Sequence, residues 1–151
     1  MIRMSTLRNR GVFLHGKQIG LLQNVCLNPA QKTVHSLVVA GGLKGKRVVY
    51  SNQILSMTGE EIHVSETVRY KKSMEPPKQR FIRDESGLLL GRITDFLLDE
   101  ERMRLVALQI IRGYLTSEER KRTWIYRWLQ SQKEDLIIPW SYWPADDFEE
   151  A

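Results

Sequence analysis

Paired carboxylates, three histidines, one cysteine and one glycine-rich cationic loop are the groups in this sequence whose types could support chemistry. General acid–base work needs a carboxyl group placed so that its pKa approaches the working pH, usually in an apolar pocket. Carboxylate runs occur as Glu60-Glu61, Asp84-Glu85, Asp99-Glu100-Glu101 and Glu118-Glu119, among others, and most of these four fall in expected turns or at an expected helix start, where acidic residues have structural reasons. His15, His35 and His63 are dispersed, with no second ligand at a helical or hairpin spacing, so no metal site is expected. Cys26 lies between Val25 and Leu27 in an apolar strand and reads as a buried, inert thiol. No catalytic constellation emerges, and the expectation is a protein that is not an enzyme, with no cofactor and no small-molecule substrate.

The loop Ala40-Gly41-Gly42-Leu43-Lys44-Gly45-Lys46-Arg47 invites comparison with a phosphate-binding loop. That motif needs a glycine where Ala40 stands and a serine or threonine where Arg47 stands, so it fails at both ends. What remains is a cluster of cations on a backbone that a phosphate can approach closely. With Arg69, Lys71 and Lys72, the residues Lys44, Lys46 and Arg47 form the candidate polyanion site; the competing reading is a solvated hairpin loop. The wider charge pattern fits either. Residues 1–80 carry 13 Lys and Arg against 4 Asp and Glu, whereas residues 81–151 carry 10 against 14.

These groups must be positioned by a chain of 151 residues, 42% hydrophobic and 27% charged, values typical of a folded globular protein. A single cysteine excludes an internal disulfide framework. No apolar run approaches the roughly 18 residues of a membrane span, and no apolar stretch follows the basic start to act as a signal-peptide core, so a soluble, cytoplasmic protein is expected.

The elements repeat. Gly16-Lys17-Gln18-Ile19-Gly20 aligns with Gly87-Leu88-Leu89-Leu90-Gly91 at an offset of 71, which also superposes Val25 on Phe96, Asn28 on Asp99, Leu37 on Leu108 and Val39 on Ile110. Each copy reads as a turn glycine, a strand, a polar turn opened by Asn or Asp, and a second strand. Further on, Arg47 to Ile54 is matched with Leu136 to Trp143 at an offset of 89, which implies 18 additional residues in the second copy. The copies are joined by Val68 to Arg80, whose Pro76-Pro77 pair favours an extended connector, and the boundary is placed near residue 75. The halves are therefore 1–75, basic, and 76–151, which ends in the acidic tail 146–150.

The additional segment reads as an amphipathic helix near 117–131. Thr116 and Glu119 resemble a capping box, and Trp124, Ile125, Trp128 and Leu129 fall on one helical arc with Arg120, Thr123, Arg127 and Gln130 opposite. All four tryptophans lie here or just beyond. Either the helix closes its own half, with Trp140 and Trp143 beneath it, or Trp124, Trp128, Trp140 and Trp143 with Arg127 form a partner-binding patch.

The glycine step, the strand–turn–strand and the segments Val48 to Ile54 and Ile137 to Trp143 together resemble the PRC-barrel superfamily, with Pro139 at the position where that family often carries proline and Tyr50 departing from it. The resemblance implies a mainly β protein of two small, strongly curved β-barrels in tandem, the second with the inserted helix. It also implies docking onto a larger assembly rather than catalysis. The expected function is thus an adaptor binding a protein partner or a second copy of itself, with an RNA- or ribosome-associated module using the basic half as the alternative.

Overall fold

The structure, a computed structural model, describes residues 1–42, 45–76, 81–112, 122–130 and 135–143. It is mainly β. The chain forms two compact units, Met1–Lys78 with Leu98–Leu105, and Gln79–Leu97 with Val106–Ala151. A boundary near residue 75 gives all of residues 98–105 to the second half. In the structure this hairpin tip joins the first unit, where the Leu105 amide donates to the Lys32 carbonyl at 2.7 Å and Arg104 pairs with Thr33.

The first unit contains β1 (Ile2–Arg3), a single helical turn α1 (Met4–Leu7), β2 (Gly11–Leu14), β3 (Lys17–Asn28), β4 (Thr33–Gly41), β5 (Gly45–Tyr50), β6 (Ile54–Met57), β7 (Glu61–Val64) and β8 (Val68–Arg69). The long strands β3 and β4 are an antiparallel hairpin, β5 pairs with β4, and β7 returns parallel to β2. Strand β4 is rich in valine and buried at nearly every position, as expected of a strand covered on both faces. One row of side chains, Met57, Ile62 and Val12, crosses β6, β7 and β2 and ends at Gly20 of β3. Ile62 and Val12 are fully buried, each contributing about 1.5–3 kcal/mol. Glycine is required at the end of that row, because a Cβ on Gly20 would meet the Ala40 carbonyl oxygen at 2.3 Å.

The second unit is built the same way from β9 (Phe81–Arg83), β10 (Leu89–Asp99), β11 (Arg104–Arg112), β12 (Arg122–Ile125), β13 (Leu129–Gln130) and β14 (Leu136–Ile137). The equivalent row runs Gln130, Leu136, Ile82, Gly91. The turn glycines Gly16 and Gly87 both have positive φ (79° and 90°), and the hairpin-turn residues Lys32 and Met103 do too (56° and 53°), so the 71-residue offset holds through both hairpins. As the sequence predicts, the turn side chains accept from nearby amides: Asn28 Oδ1 from Gln31, and Asp99 Oδ1 from Glu101 and Arg102.

Two expectations are corrected. The helix near 117–131 is not formed at its described residues: 122–125 is strand β12, paired with β11, and 129–130 is strand β13. Thr123 and Ile125 are buried while Arg122 and Tyr126 are exposed, a period of two, and β-branched and aromatic residues suit a pleated surface. The helical arc of Trp124, Ile125, Trp128 and Leu129 is not realised, since Ile125 is buried and Leu129 is exposed. Residues 113–121 and 131–134 lie outside the described residues.

The offset of 89 superposes the 3₁₀ turns Ser51–Gln53 and Trp140–Tyr142 but does not hold for the strands before them. Val49 lies opposite Leu37, and Ile125 lies opposite Leu108, its equivalent, so Val48-Val49-Tyr50 corresponds to Trp124-Ile125-Tyr126 at an offset of 76. Leu136–Ile137, parallel to β9, corresponds to β7, which is parallel to β2. The second copy therefore has a hairpin loop longer by five residues in place of an 18-residue insertion.

Candidate functional site

The groups with catalytic potential are separated and occupied. His35 Nδ1 lies 2.8 Å from Ser36 Oγ, and His63 Nε2 lies 3.0 Å from Glu61 Oε2 with its ring stacked on Phe13. Cys26 is buried, 3.7 Å from a Glu75 oxygen, and Glu75 accepts from Asn24 Nδ2 at 3.2 Å and from the Tyr70 hydroxyl at 2.7 Å. That hydrogen bond, with burial and the carboxylate's charge, raises the Tyr70 pKa above the ordinary phenol value. Asp84 organises the β9–β10 turn: its Oδ1 accepts from the Ser86 hydroxyl (2.6 Å) and from the Ser86 and Leu88 amides (both 2.9 Å). The Ser86 hydroxyl foremost, opposed by burial and helped by the backbone amides, holds this carboxyl below its usual range. Among the described residues no three His, Cys, Asp or Glu groups are placed to hold a metal ion. A shallow groove of about 460 Å³, lined by Arg8, Asn9, Leu21, Leu22, Gln23 and Ala40, contains no acid, base or nucleophile.

Of the six cations proposed from sequence, Lys44 lies outside the described residues and the other five lie along one short stretch of the first unit. Strand β8 pairs with β5 so that Arg69 stands directly opposite Arg47. Arg47 is fixed by two hydrogen bonds to Thr67, Nε to Oγ1 at 3.0 Å and Nη2 to the carbonyl at 3.3 Å. The Lys46 ammonium sits 5.2 Å from the centroid of the Tyr70 ring. Lys71 continues in extended backbone (φ −134°, ψ 139°) and Lys72 opens the 3₁₀ turn Lys72–Met74.

The aromatic group divides. Trp128 (4% exposed) and Trp143 (5%) are buried and Trp124 is half-buried, which leaves Trp140 (46%) and Arg127 at the surface. Trp140 stacks on Trp143 with centroids 5.5 Å apart, and Arg127 lies 4.0 Å above the Tyr142 ring.

Sequence reasoning missed the outer row of the second unit. On the face opposite Gln130–Leu136–Ile82–Gly91, the register aligns Leu129, Ile137, Arg83 and Leu89 across β13, β14, β9 and β10. Leu129 is 49% exposed, and Phe81, two residues before Arg83 on the same face, is also exposed. Arg83 is held by Asp135 at 2.7 Å. The equivalent row of the first unit is Ser56, His63, Phe13 and Gln18. The signal lay in the comparison of Ser56 with Leu129 and Gln18 with Leu89, which needs the strand register to be seen.

No protein-family model matches the chain, and no curated protein matches it. No helix among the described residues is long and apolar enough to cross a membrane.

Proposed function

We propose that this chain is a non-enzymatic, cytoplasmic docking module, two PRC-barrel-like halves in tandem, that holds a different protein against the outer face of its second half. The observation that carries this reading is the contrast between equivalent rows. The first unit places Ser56, His63, Phe13 and Gln18 where the second places Leu129, Ile137, Arg83 and Leu89. Both units bury the inner pair of their parallel strands, Ile62 with Val12 in the first and Leu136 with Ile82 in the second, while the outer row differs between them. An apolar row beside exposed Phe81, with one arginine at its centre, has the composition of a protein-binding surface. Among the described residues strand β13 ends the second unit's strand order, a position where backbone groups can pair with a partner.

The equivalent positions supply their own control. A photo-crosslinking amino acid placed at Leu129 is expected to give a discrete adduct with another protein in cells, and the same amino acid at Ser56 none. Equal labelling at both positions, or an adduct of twice the chain's own mass, contradicts the proposal; the second result identifies self-association instead.

A further inference from the structure

We infer that the β5–β8 edge of the first unit is a second, independent binding site, for the phosphate backbone of single-stranded nucleic acid, formed by Lys46, Arg47, Arg69, Lys71 and Lys72. Like charges directly opposite in a β-ladder repel, and sheets ordinarily place an opposite charge or a neutral group there. Here Arg47 faces Arg69, and among the described residues none of the five cations has an ion-pair partner. Arg83 of the second unit, by contrast, is paired with Asp135. The position is also not a requirement of the fold, because register makes Thr123 the second unit's equivalent of Arg47, and Thr123 is buried.

The cations are arranged rather than merely numerous. Thr67 fixes the Arg47 guanidinium with two of its five N–H groups. Tyr70, anchored through its hydroxyl to Glu75, positions the Lys46 ammonium over its ring. Alternation puts Arg69 and Lys71 on one side of the extended segment, about 6.7 Å apart along the chain, with Arg47 about 5 Å across from Arg69. The row Arg47, Arg69 and Lys71 on one face, with Lys46 and Lys72 flanking it, suits a flexible polyanion whose phosphates repeat along a chain. One small anion cannot reach all five groups. A flat membrane would be met better by a broad basic face with apolar residues to insert.

The test uses the full chain and a fluorescein-labelled, mixed-sequence single-stranded RNA, with binding followed by anisotropy across a salt series. Each phosphate neutralised contributes about −0.7 to the slope of log K against log salt. The expected slope is therefore between about −2 and −3.5. Arg69→Glu with Lys71→Glu should reduce its magnitude by about 1.4 and weaken binding at least about tenfold near 100 mM salt. Lys17→Glu with Arg122→Glu makes the same change in net charge at exposed sites elsewhere and should change affinity by less than about twofold. Arg69→Gln relieves the opposed pair, so it should raise the melting temperature at low salt while weakening RNA binding, which separates loss of the site from loss of the fold. Equal weakening by both double variants overturns the inference, as does tighter binding to phosphatidylserine vesicles or displacement of the RNA by polyglutamate. Each result leaves the docking face of the second unit untouched.

Discussion

Asp84 shows how far single residues in this chain are committed to structure. Its carboxylate serves one hydroxyl and two amides of its own turn, and those donors hold its folded pKa below the unfolded value. A depressed carboxylate pKa contributes stability that is fully present above the unfolded value, about 3.9, and is lost as pH falls through the lower folded value. Asp84→Asn is accordingly expected to melt at a lower temperature than the wild type near neutral pH. The two melting curves should converge in acid, and thermal melts at a series of pH values check both halves of that statement. An acidic pair at a turn was legible as structural from Asp84-Glu85 alone. The opposition of Arg47 and Arg69 was not, because residues 22 positions apart come together only through the β5–β8 pairing.

At the level of elements, one five-residue motif does two different jobs. Gly16 takes a left-handed turn conformation with open space around the position of a Cβ, whereas Gly20 lies where β4 passes too close for any side chain. Gly16→Ala should cost about 1–2 kcal/mol from the backbone alone. Gly20→Ala forces β3 away from Ala40 and should cost about 1–3 kcal/mol, with a visible shift of β3 and β4 amide resonances that Gly16→Ala does not produce. Denaturant titration and amide spectra of the two variants check this. The glycine spacing made both turns readable in advance. The strand at 122–125 was misread as helix because the pairs Trp124-Ile125 and Trp128-Leu129 have a helical spacing, although the structure buries Ile125 and exposes Leu129. The pairing of Thr123 with Ile110 and of Ile125 with Leu108 decides between them, and pairing is a long-range fact.

For the molecule as a whole, duplication is the central fact, and divergence between the copies is where function is argued. Both units keep a buried pair across their parallel strands that ends opposite a glycine, Ile62–Val12–Gly20 and Leu136–Ile82–Gly91. They differ outside that pair, with opposed arginines on the first and an apolar outer row on the second. Sequence alone revealed the repeat through its hairpins and lost it after Val39 and Ile110, where the hairpin loops differ in length. Of the patch named from sequence, Trp124, Trp128, Arg127, Trp140 and Trp143, the structure buries Trp128 and Trp143 and leaves Arg127 and Trp140 at the surface, while the exposure of Leu129 was not read.

The most direct test of the docking claim is co-purification of the tagged chain from gentle lysate, with and without nuclease, beside Leu129→Asp. Leu129 is half exposed on a short edge strand, so the variant should melt within a few degrees of the wild type. The account predicts one stoichiometric protein that stays with the wild type after nuclease and moderate salt and is absent from Leu129→Asp. Retention of that protein by Leu129→Asp, or its loss on nuclease treatment alone, would contradict it.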